Sequence, residues 1–364
     1  MPTTIRDLVD ELDVLDLTGL SELGSPCVSF YLPTGRTHLD APRAVLELRS
    51  LVDEAARELA SSVATEEIEE ILERPRALLD DRDFWQHQGE GLAVFASSEA
   101  MRVIRLAGDP GRRVSVADDP HLVPLVEAVD HHGPFYLLAL ALGEVRLFAG
   151  SWSALEPLDL GPIPASVEDM ERRHETEPEL QHQHTPASRG TATFHGHGGR
   201  EISDVVLGKF IAEVAAGVRR RIGAASQAPV YLAAVEEYLP RLRSTGKIPT
   251  LRPAVITGSP EGTPGHELFE RVRPLIAADR EARDARLREA LDSAAGRRRL
   301  ATSQEVMSVA AEGRVDTLVL DPEVIDAPEA DLDRAVMQTL TQGGGVHTLT
   351  ALPDGAPAAA ILRY

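Results

Sequence analysis

Histidines and glycines concentrate in one stretch of this chain, in a pattern that could support binding or chemistry. Five of the 12 histidines fall between residues 174 and 197, and Gly198, Gly199 and Arg200 follow directly. Imidazole nitrogens bind transition metals and exchange protons near neutral pH. Adjacent glycines leave the backbone unshielded, so a tip of this kind can approach another molecule very closely. We therefore predict a binding or catalytic loop at residues 174–202, leading into a helix that starts near Ser203.

The spacing of the histidines allows a metal site as one interpretation. His182 and His184 form one His-x-His pair and His195 and His197 form another, so together they could supply four nitrogen ligands to a zinc ion. The segment around the first pair is rich in proline and charge, which is typical of a solvated loop. We predict no metal and no other cofactor. A metal-assisted hydrolase that uses these four histidines stays open as an alternative.

A second glycine-rich segment, residues 258–265, lies between a predicted strand and a predicted helix. Backbone amides in such a turn can hold phosphate. The segment lacks the Gly-Lys-Ser/Thr ending of a P-loop and the Gly-x-Gly-x-x-Gly spacing of a dinucleotide site. We therefore interpret it as a connecting loop.

The overall charge limits the partners that this chain can bind. The 364 residues carry a formal net charge of −21 at pH 7, which repels phosphate backbones and anionic membranes. Any contact with RNA must therefore be local. The start of the chain lacks the apolar core of a signal peptide, and no apolar run approaches the roughly 20 residues that cross a membrane. We predict a cytoplasmic monomer that does not enter a membrane.

Hydrophobic periodicity predicts a mixed α/β fold. We predict strands over residues 27–33, 91–96, 101–106, 135–140, 144–148, 230–234, 254–257 and 317–320, and a closing hairpin of 346–350 with 358–363. Helices are predicted after Asp40, from Thr65 to Pro75, from Ser203 and over 267–299, 303–312 and 331–340. Residues 160–193 are rich in proline and charge, and we predict a long loop there.

Short motifs in a fixed order carry a family resemblance. They are residues 27–34, 135–140 with 145–148, 194–199, 313–318, 343–345 and 360–364. In this order the chain resembles the bacterial archaeo-eukaryotic release factor family, which includes the Balon-type ribosome hibernation factors. The resemblance spans nearly the whole chain.

This family is similar to the three-domain, tRNA-shaped translation termination factors of archaea and eukaryotes. The resemblance implies an N-terminal α/β domain over residues 1–130 that faces the decoding centre. It implies a middle domain over 131–276 with a ribonuclease-H-like fold, which carries the loop 174–202. The last domain, 277–364, would resemble the kink-turn-binding ribosomal proteins, and the resemblance implies that it docks a translational GTPase such as EF-Tu.

The resemblance also indicates which residues meet the ribosome. In termination factors a middle-domain loop carries Gly-Gly-Gln, which helps water to cleave peptidyl-tRNA. Here the corresponding residues are Gly198, Gly199 and Arg200, and a guanidinium differs from an amide in size and charge. The stop-codon-reading sequence Asn-Ile-Lys-Ser is absent from the chain. The expected role is occupation of the ribosomal A site during stress or hibernation, without peptide release. The residues expected at ribosomal RNA are Arg36, Arg43, Arg189, His195, Gly196, His197, Gly198, Gly199 and Arg200.

Two other interpretations stay open. In the first, the protein is a peptidyl-tRNA hydrolase or ribosome rescue factor in which His195 or His197 takes over from the glutamine. In the second, it is an interaction module that acts through its last domain. The triplet Arg297–Arg299, which we predict at a helix end, is either a contact site or a solvated run.

Overall fold

The computed structural model describes two compact units. Residues 1–19, 21–22, 36–39, 107, 152–153, 177–192, 196–200, 224–225, 227, 295–297, 326–329, 353–354 and 364 are not described. The first unit combines residues 1–134, 151–153 and 279–364, and the second unit combines 135–150 and 154–278. The first unit holds one sheet from each end of the chain, and the division into three domains stays a prediction.

An antiparallel sheet from the start of the chain has the order β3-β2-β1-β4. Its strands are β1 (Cys27–Pro33), β2 (Gly91–Ala96), β3 (Met101–Leu106) and β4 (Arg113–Ala117). The two central strands are buried almost throughout, because both of their faces are covered. The predicted strand at 27–33 and the predicted hairpin of 91–96 with 101–106 are confirmed.

The helices of this segment are α1 (Ala41–Leu59), α2 (Thr65–Leu78), α3 (Arg82–Gln86) and α4 (Val123–His132). Asp40 occupies the N-cap position of α1, but its side chain makes no capping hydrogen bond. Helix α2 begins at Thr65, with Ala64 at the N-cap position, and it continues three residues beyond Pro75, where the sequence predicts an end or a kink. Pro75 is buried on the same face as Ile71 and Leu72, so packing compensates for the hydrogen bond that proline cannot donate.

The second unit is built on a five-stranded sheet with the order β11-β10-β5-β6-β7. Its strands are β5 (Phe135–Leu140), β6 (Val145–Gly150), β7 (Leu155–Leu158), β10 (Val230–Ala234) and β11 (Leu251–Thr257). The first three strands are antiparallel neighbours, whereas β10 is parallel to both β5 and β11. This is the strand order of a ribonuclease-H-like fold, which confirms the predicted fold of the middle segment.

The remaining elements of the second unit are α5 (Val167–Thr176), β8 (Thr193–His195), β9 (Glu201–Ser203), α6 (Asp204–Ile222) and α7 (Tyr238–Ser244). The sequence predicted a loop where α5 lies. The hydroxyl of Ser166 accepts a hydrogen bond from the Asp169 amide, and Asp169 pairs with Arg173 one turn later at 2.8 Å. Local polar contacts thus stabilise a helix that has little apolar periodicity.

The long helix α8 (Gly265–Ser293) precedes a mixed sheet with the order β12-β15-β13-β14. Its elements are β12 (Arg298–Ala301), α9 (Ser303–Ala311), β13 (Val315–Leu320), α10 (Ala330–Thr341), β14 (Gly345–Thr348) and β15 (Ala358–Leu362). Arg298 and Arg299 lie in β12, so the predicted position of the arginine triplet at a helix end is wrong. The predicted closing hairpin is also wrong. Strand β13 lies between β14 and β15, because α10 carries the chain across to place β14 parallel to β13.

One hydrophobic cluster connects the two sheets of the first unit. Its buried members include Tyr31, Phe95, Leu122, Leu125, Val306, Leu318, Val336 and Leu362. Since residues from both ends of the chain share this core, neither sheet buries its apolar face alone. Within the described ranges, no helix combines the length and the apolar character that crossing a membrane requires.

A buried polar network accompanies this core. Asp333 on α10 accepts hydrogen bonds from the Leu122 amide at 2.7 Å and from His121 Nδ1 at 3.0 Å. The His121 amide donates to Ser29 Oγ at 2.9 Å, and the Tyr31 hydroxyl donates to the His121 carbonyl. Burial, followed by the charge of Asp333, raises the pKa of Tyr31 well above its ordinary value, so the hydroxyl keeps its proton and donates.

Candidate nucleic-acid interface

The tip that the sequence singled out is the connection of a two-stranded hairpin. Strands β8 and β9 are antiparallel, with His195 opposite Glu201 and Thr193 opposite Ser203. Residues 196–200 join these strands, and they lie outside the described part of the chain. The sequence predicted the tip and the helix that follows, but not the pair of strands at its base.

Helix α6 begins directly after the hairpin. Ser203 has an extended backbone, and its hydroxyl accepts a hydrogen bond from the Val206 amide at 3.4 Å, as expected for an N-cap. Asp204 places a carboxylate at the positive end of the helix dipole and pairs with Arg241 of α7 at 2.9 Å. These contacts fix the start of α6, and therefore also the base of the hairpin.

Helix α6 has one buried face and one exposed face. The buried residues include Leu207, Phe210, Val214 and Val218 at helical spacing. Gly217 lies on the same side, where a β-carbon would approach the Ile163 Cα to 2.8 Å. The helix therefore packs closely on the segment around Ile163, and its opposite face is left to solvent.

The histidines do not form a metal cluster within the described residues. His174 lies on α5, and its Nε2 contacts Glu213 on α6 rather than another histidine. No group of three or more His, Cys, Asp or Glu side chains suited to a metal ion occurs in the part of the chain that the structure describes. His182, His184 and His197 lie outside that part, and His195 is described only through its backbone.

The predicted arginine contacts are distributed over both units. Arg43 is exposed in the first turn of α1, in the first unit. Arg36, Arg189 and Arg200 lie outside the described residues, as do Gly196, Gly198 and Gly199. Their contacts with RNA stay predictions.

The second glycine-rich segment uses its polar groups within the protein. The Gly262 amide donates to a Glu144 carboxylate oxygen at 3.0 Å, and Arg146 donates to the carbonyls of Pro260 and Thr263 at 2.7 and 2.8 Å. An amide that already binds a carboxylate is not free to bind phosphate. These contacts agree with the interpretation of 258–265 as a connecting loop.

The sequence interpretation missed a cationic region that begins at α6. Residues 204–252 contain eight Lys and Arg residues against four Asp and Glu residues, although the whole chain is strongly acidic. Two features of the sequence could have indicated this region. One is the run Arg219–Arg221, and the other is that Lys209 and Arg220 lie three turns apart on one face of the helix.

Comparison with known families assigns the central segment of the chain. Residues 134–314, which contain the hairpin and α6, match the model for bacterial archaeo-eukaryotic release factor family 3. This segment belongs to the bacterial archaeo-eukaryotic release factor family. Comparison of this release-factor-family protein with curated proteins gives no match.

Solved structures that match the release-factor-family protein are distant in sequence. An archaeal translation termination factor is 14% identical, with 99% of this chain and 100% of the other covered and a TM-score of 0.24. A ribosome-bound archaeal Pelota is 13% identical, with 100% and 98% covered and a TM-score of 0.41. Dom34 of S. cerevisiae, described as interacting with Hbs1, is 11% identical, with 63% of each chain covered and a TM-score of 0.39. At these TM-scores, none of the three assigns a role to a residue of this chain.

Proposed function

We propose that this protein binds the bacterial ribosome at the A site and occupies it without releasing the nascent peptide, as a factor in stress or hibernation. The observation that carries the proposal is the β8–β9 hairpin. It presents the sequence Gly-His-Gly-Gly-Arg between two paired strands, immediately before α6, within the segment that matches the family. Termination factors carry Gly-Gly-Gln at the corresponding place.

The chemistry of Arg200 supports binding rather than peptide release. A glutamine amide has both a donor and an acceptor, so it can orient a water molecule for attack on an ester. A guanidinium has five donors, no acceptor and a permanent positive charge. It therefore suits contacts with phosphate oxygens, and it cannot accept a hydrogen bond from the attacking water. Ribosomal RNA near the peptidyl-transferase centre is the partner that these properties favour.

The proposal includes three statements about the whole protein. It acts in the cytoplasm, it acts as a monomer, and its C-terminal segment binds a translational GTPase such as EF-Tu. The interaction of Dom34 with Hbs1 motivates the last statement. A pull-down of purified EF-Tu with the full-length protein tests it, and absence of EF-Tu from the bound fraction with both GDP and a GTP analogue would contradict it.

A competition assay tests occupation of the A site. Ribosomes that hold labelled peptidyl-tRNA in the P site are incubated with excess protein and then with labelled aminoacyl-tRNA. We expect A-site binding of aminoacyl-tRNA to fall at least tenfold and the peptidyl ester to remain intact. Arg200→Gln should compete less well because it lacks the guanidinium, and Arg102→Gln, at an exposed position of β3, is its matched control. Full aminoacyl-tRNA binding at saturating protein would contradict the proposal.

The same assay separates binding from hydrolysis. Release of labelled peptide by the wild-type protein, abolished by His195→Ala and His197→Ala, would establish the peptidyl-tRNA hydrolase alternative instead. Loss of that release after chelation of zinc would establish the metal-assisted alternative, with His182 and His184 as further ligands.

A further inference from the structure

The exposed side of α6 carries cations along its length. Lys209, Arg219 and Arg220 are exposed, and successive residues of an α-helix are about 100° apart, which places these three opposite the buried Phe210, Val214 and Val218. Lys209 and Arg220 are about 16 Å apart along the helix axis at 1.5 Å per residue. The cations therefore form a stripe and not a single point.

Lys247, in the turn after α7, joins this stripe, and the exposed Arg243 lies four residues earlier in the chain. Arg219 Nη1 donates to the Lys247 carbonyl at 3.5 Å, and Lys247 Nζ donates to the Ala212 carbonyl at 3.2 Å. The ammonium group of Lys247 thus lies against α6 between Lys209 and Arg219. Arg243 is exposed in the last turn of α7, where its carbonyl accepts from the Gly246 amide at 3.0 Å. We call Lys209, Arg219, Arg220, Arg243 and Lys247 the cationic face.

The acidic residues of α6 do not neutralise the cationic face. Glu213 contacts His174, and Asp204 pairs with Arg241. Within the described part of the chain, none of the five cations forms an ion pair with a carboxylate. Favourable contact with the helix dipole explains arginines in the last turn of α6. It does not explain Lys209, which lies in the second turn, or Lys247, which lies outside the helix.

We propose that the cationic face binds the phosphate backbone of ribosomal RNA. The chain as a whole is strongly acidic and repels polyanions, whereas the cationic face has a local surplus of positive charge. A polyanion such as RNA can therefore bind at this face and not elsewhere on the surface. The face belongs to the helix that begins at the hairpin, so both would engage RNA in one binding event. This inference rests on the proposed function, because the ribosome is the source of the RNA.

Salt-dependent binding to vacant ribosomes without tRNA tests this site. Each phosphate contact contributes about 0.7–0.9 to the slope of log K against log salt concentration. For Arg219→Gln/Arg220→Gln we expect the slope to decrease by about 1–2, and the affinity at low salt to fall about tenfold. Arg286→Gln/Arg288→Gln on α8 changes the charge equally at exposed positions and should keep the wild-type slope. Lys247→Gln, outside the helix, should decrease the slope by about half as much as the double variant.

The outcomes distinguish the two proposals. Wild-type binding combined with unchanged affinity and slope in both α6 and Lys247 variants would overturn the cationic face and leave the proposed function intact. Weaker binding with an unchanged slope would also overturn it, since the variants would then have lost no contact with phosphate. Absence of wild-type binding at every salt concentration would overturn both. Circular dichroism melts that match the wild type confirm that the variants are folded.

Discussion

Replacing Asp333 by alanine is expected to lower the free energy of unfolding by about 3–5 kcal/mol. The Asp333 side chain is only 2% exposed and accepts from the Leu122 amide and from His121 Nδ1. Alanine would leave both donors buried without an acceptor, and each such group costs about 1–3 kcal/mol. The loss also opens a space beside a core that both ends of the chain share.

Chemical denaturation followed by fluorescence checks this prediction, because Trp85 is buried in the first unit. Asp331→Ala is the matched control, since Asp331 lies in the first turn of the same helix and is partly exposed. It should change stability by less than about 1 kcal/mol, the usual size of a helix-dipole contact. Equal shifts of the unfolding midpoint in the two variants would show that the buried network contributes little.

Replacing Asp130 by asparagine is expected to lower stability by about 2–3 kcal/mol at neutral pH. Asp130 lies in the last turn of α4, and its side chain is 9% exposed. Its carboxylate accepts from Arg283 at 2.6 Å, from the amide and hydroxyl of Thr348 at 2.9 and 3.0 Å, and from His347 Nδ1 at 3.1 Å. Asparagine keeps the shape of the side chain but removes its charge. Its amide nitrogen also places two donor hydrogens among neighbours that are themselves hydrogen-bond donors.

The cost of this substitution should depend on pH. Burial is the largest single influence on the pKa of Asp130 and raises it, but the hydrogen bond from His347, the charge of Arg283 and the Thr348 amide together hold the pKa below 3.8. A carboxyl whose pKa is lower in the folded state stabilises the fold fully above its unfolded pKa. That stabilisation is lost as the pH falls through the folded pKa. The difference between wild type and variant should therefore be constant above about pH 5 and shrink below pH 3.8.

Denaturation midpoints measured across this pH range test the linkage. Asp119→Asn is the control, because Asp119 pairs with Arg334 at the surface and an exposed pair contributes about 0–1 kcal/mol. A difference between wild type and the Asp130 variant that stays the same at pH 3 and pH 7 would contradict the lowered pKa.

Local pattern predicted most of the elements, whereas pairing between distant residues was not predictable. The apolar spacing of α1 and the combination of Val28, Phe30 and Tyr31 in β1 determine the structure of these two elements within a few residues of chain. The insertion of β13 between β14 and β15 depends on a crossover that alternation does not encode. The contact between His121 and Asp333 joins residues 212 positions apart, and neither residue lies in a recognisable motif.

The candidate site, like the fold, could be predicted from the sequence only in part. The turn before α6 could be predicted because adjacent glycines at a loop-to-helix junction are typical of one, and the contacts of its tip stay predictions. The cationic face could not be predicted as a surface, because Lys247 reaches α6 only through the fold of α7 and its turn. The pairing of His174 with Glu213 likewise depends on the packing of α5 beside α6, which the sequence did not predict.

Sedimentation with ribosomes is the most direct test of the central proposal. Purified protein is centrifuged through a sucrose cushion with vacant bacterial ribosomes at about 0.15 M ionic strength, with a ribosome-free control, because salt governs the apparent affinity. We predict stoichiometric co-pelleting of the wild-type protein and markedly weaker co-pelleting of Arg200→Glu. Wild-type protein that stays in the supernatant, both alone and with EF-Tu, would contradict a role on the ribosome.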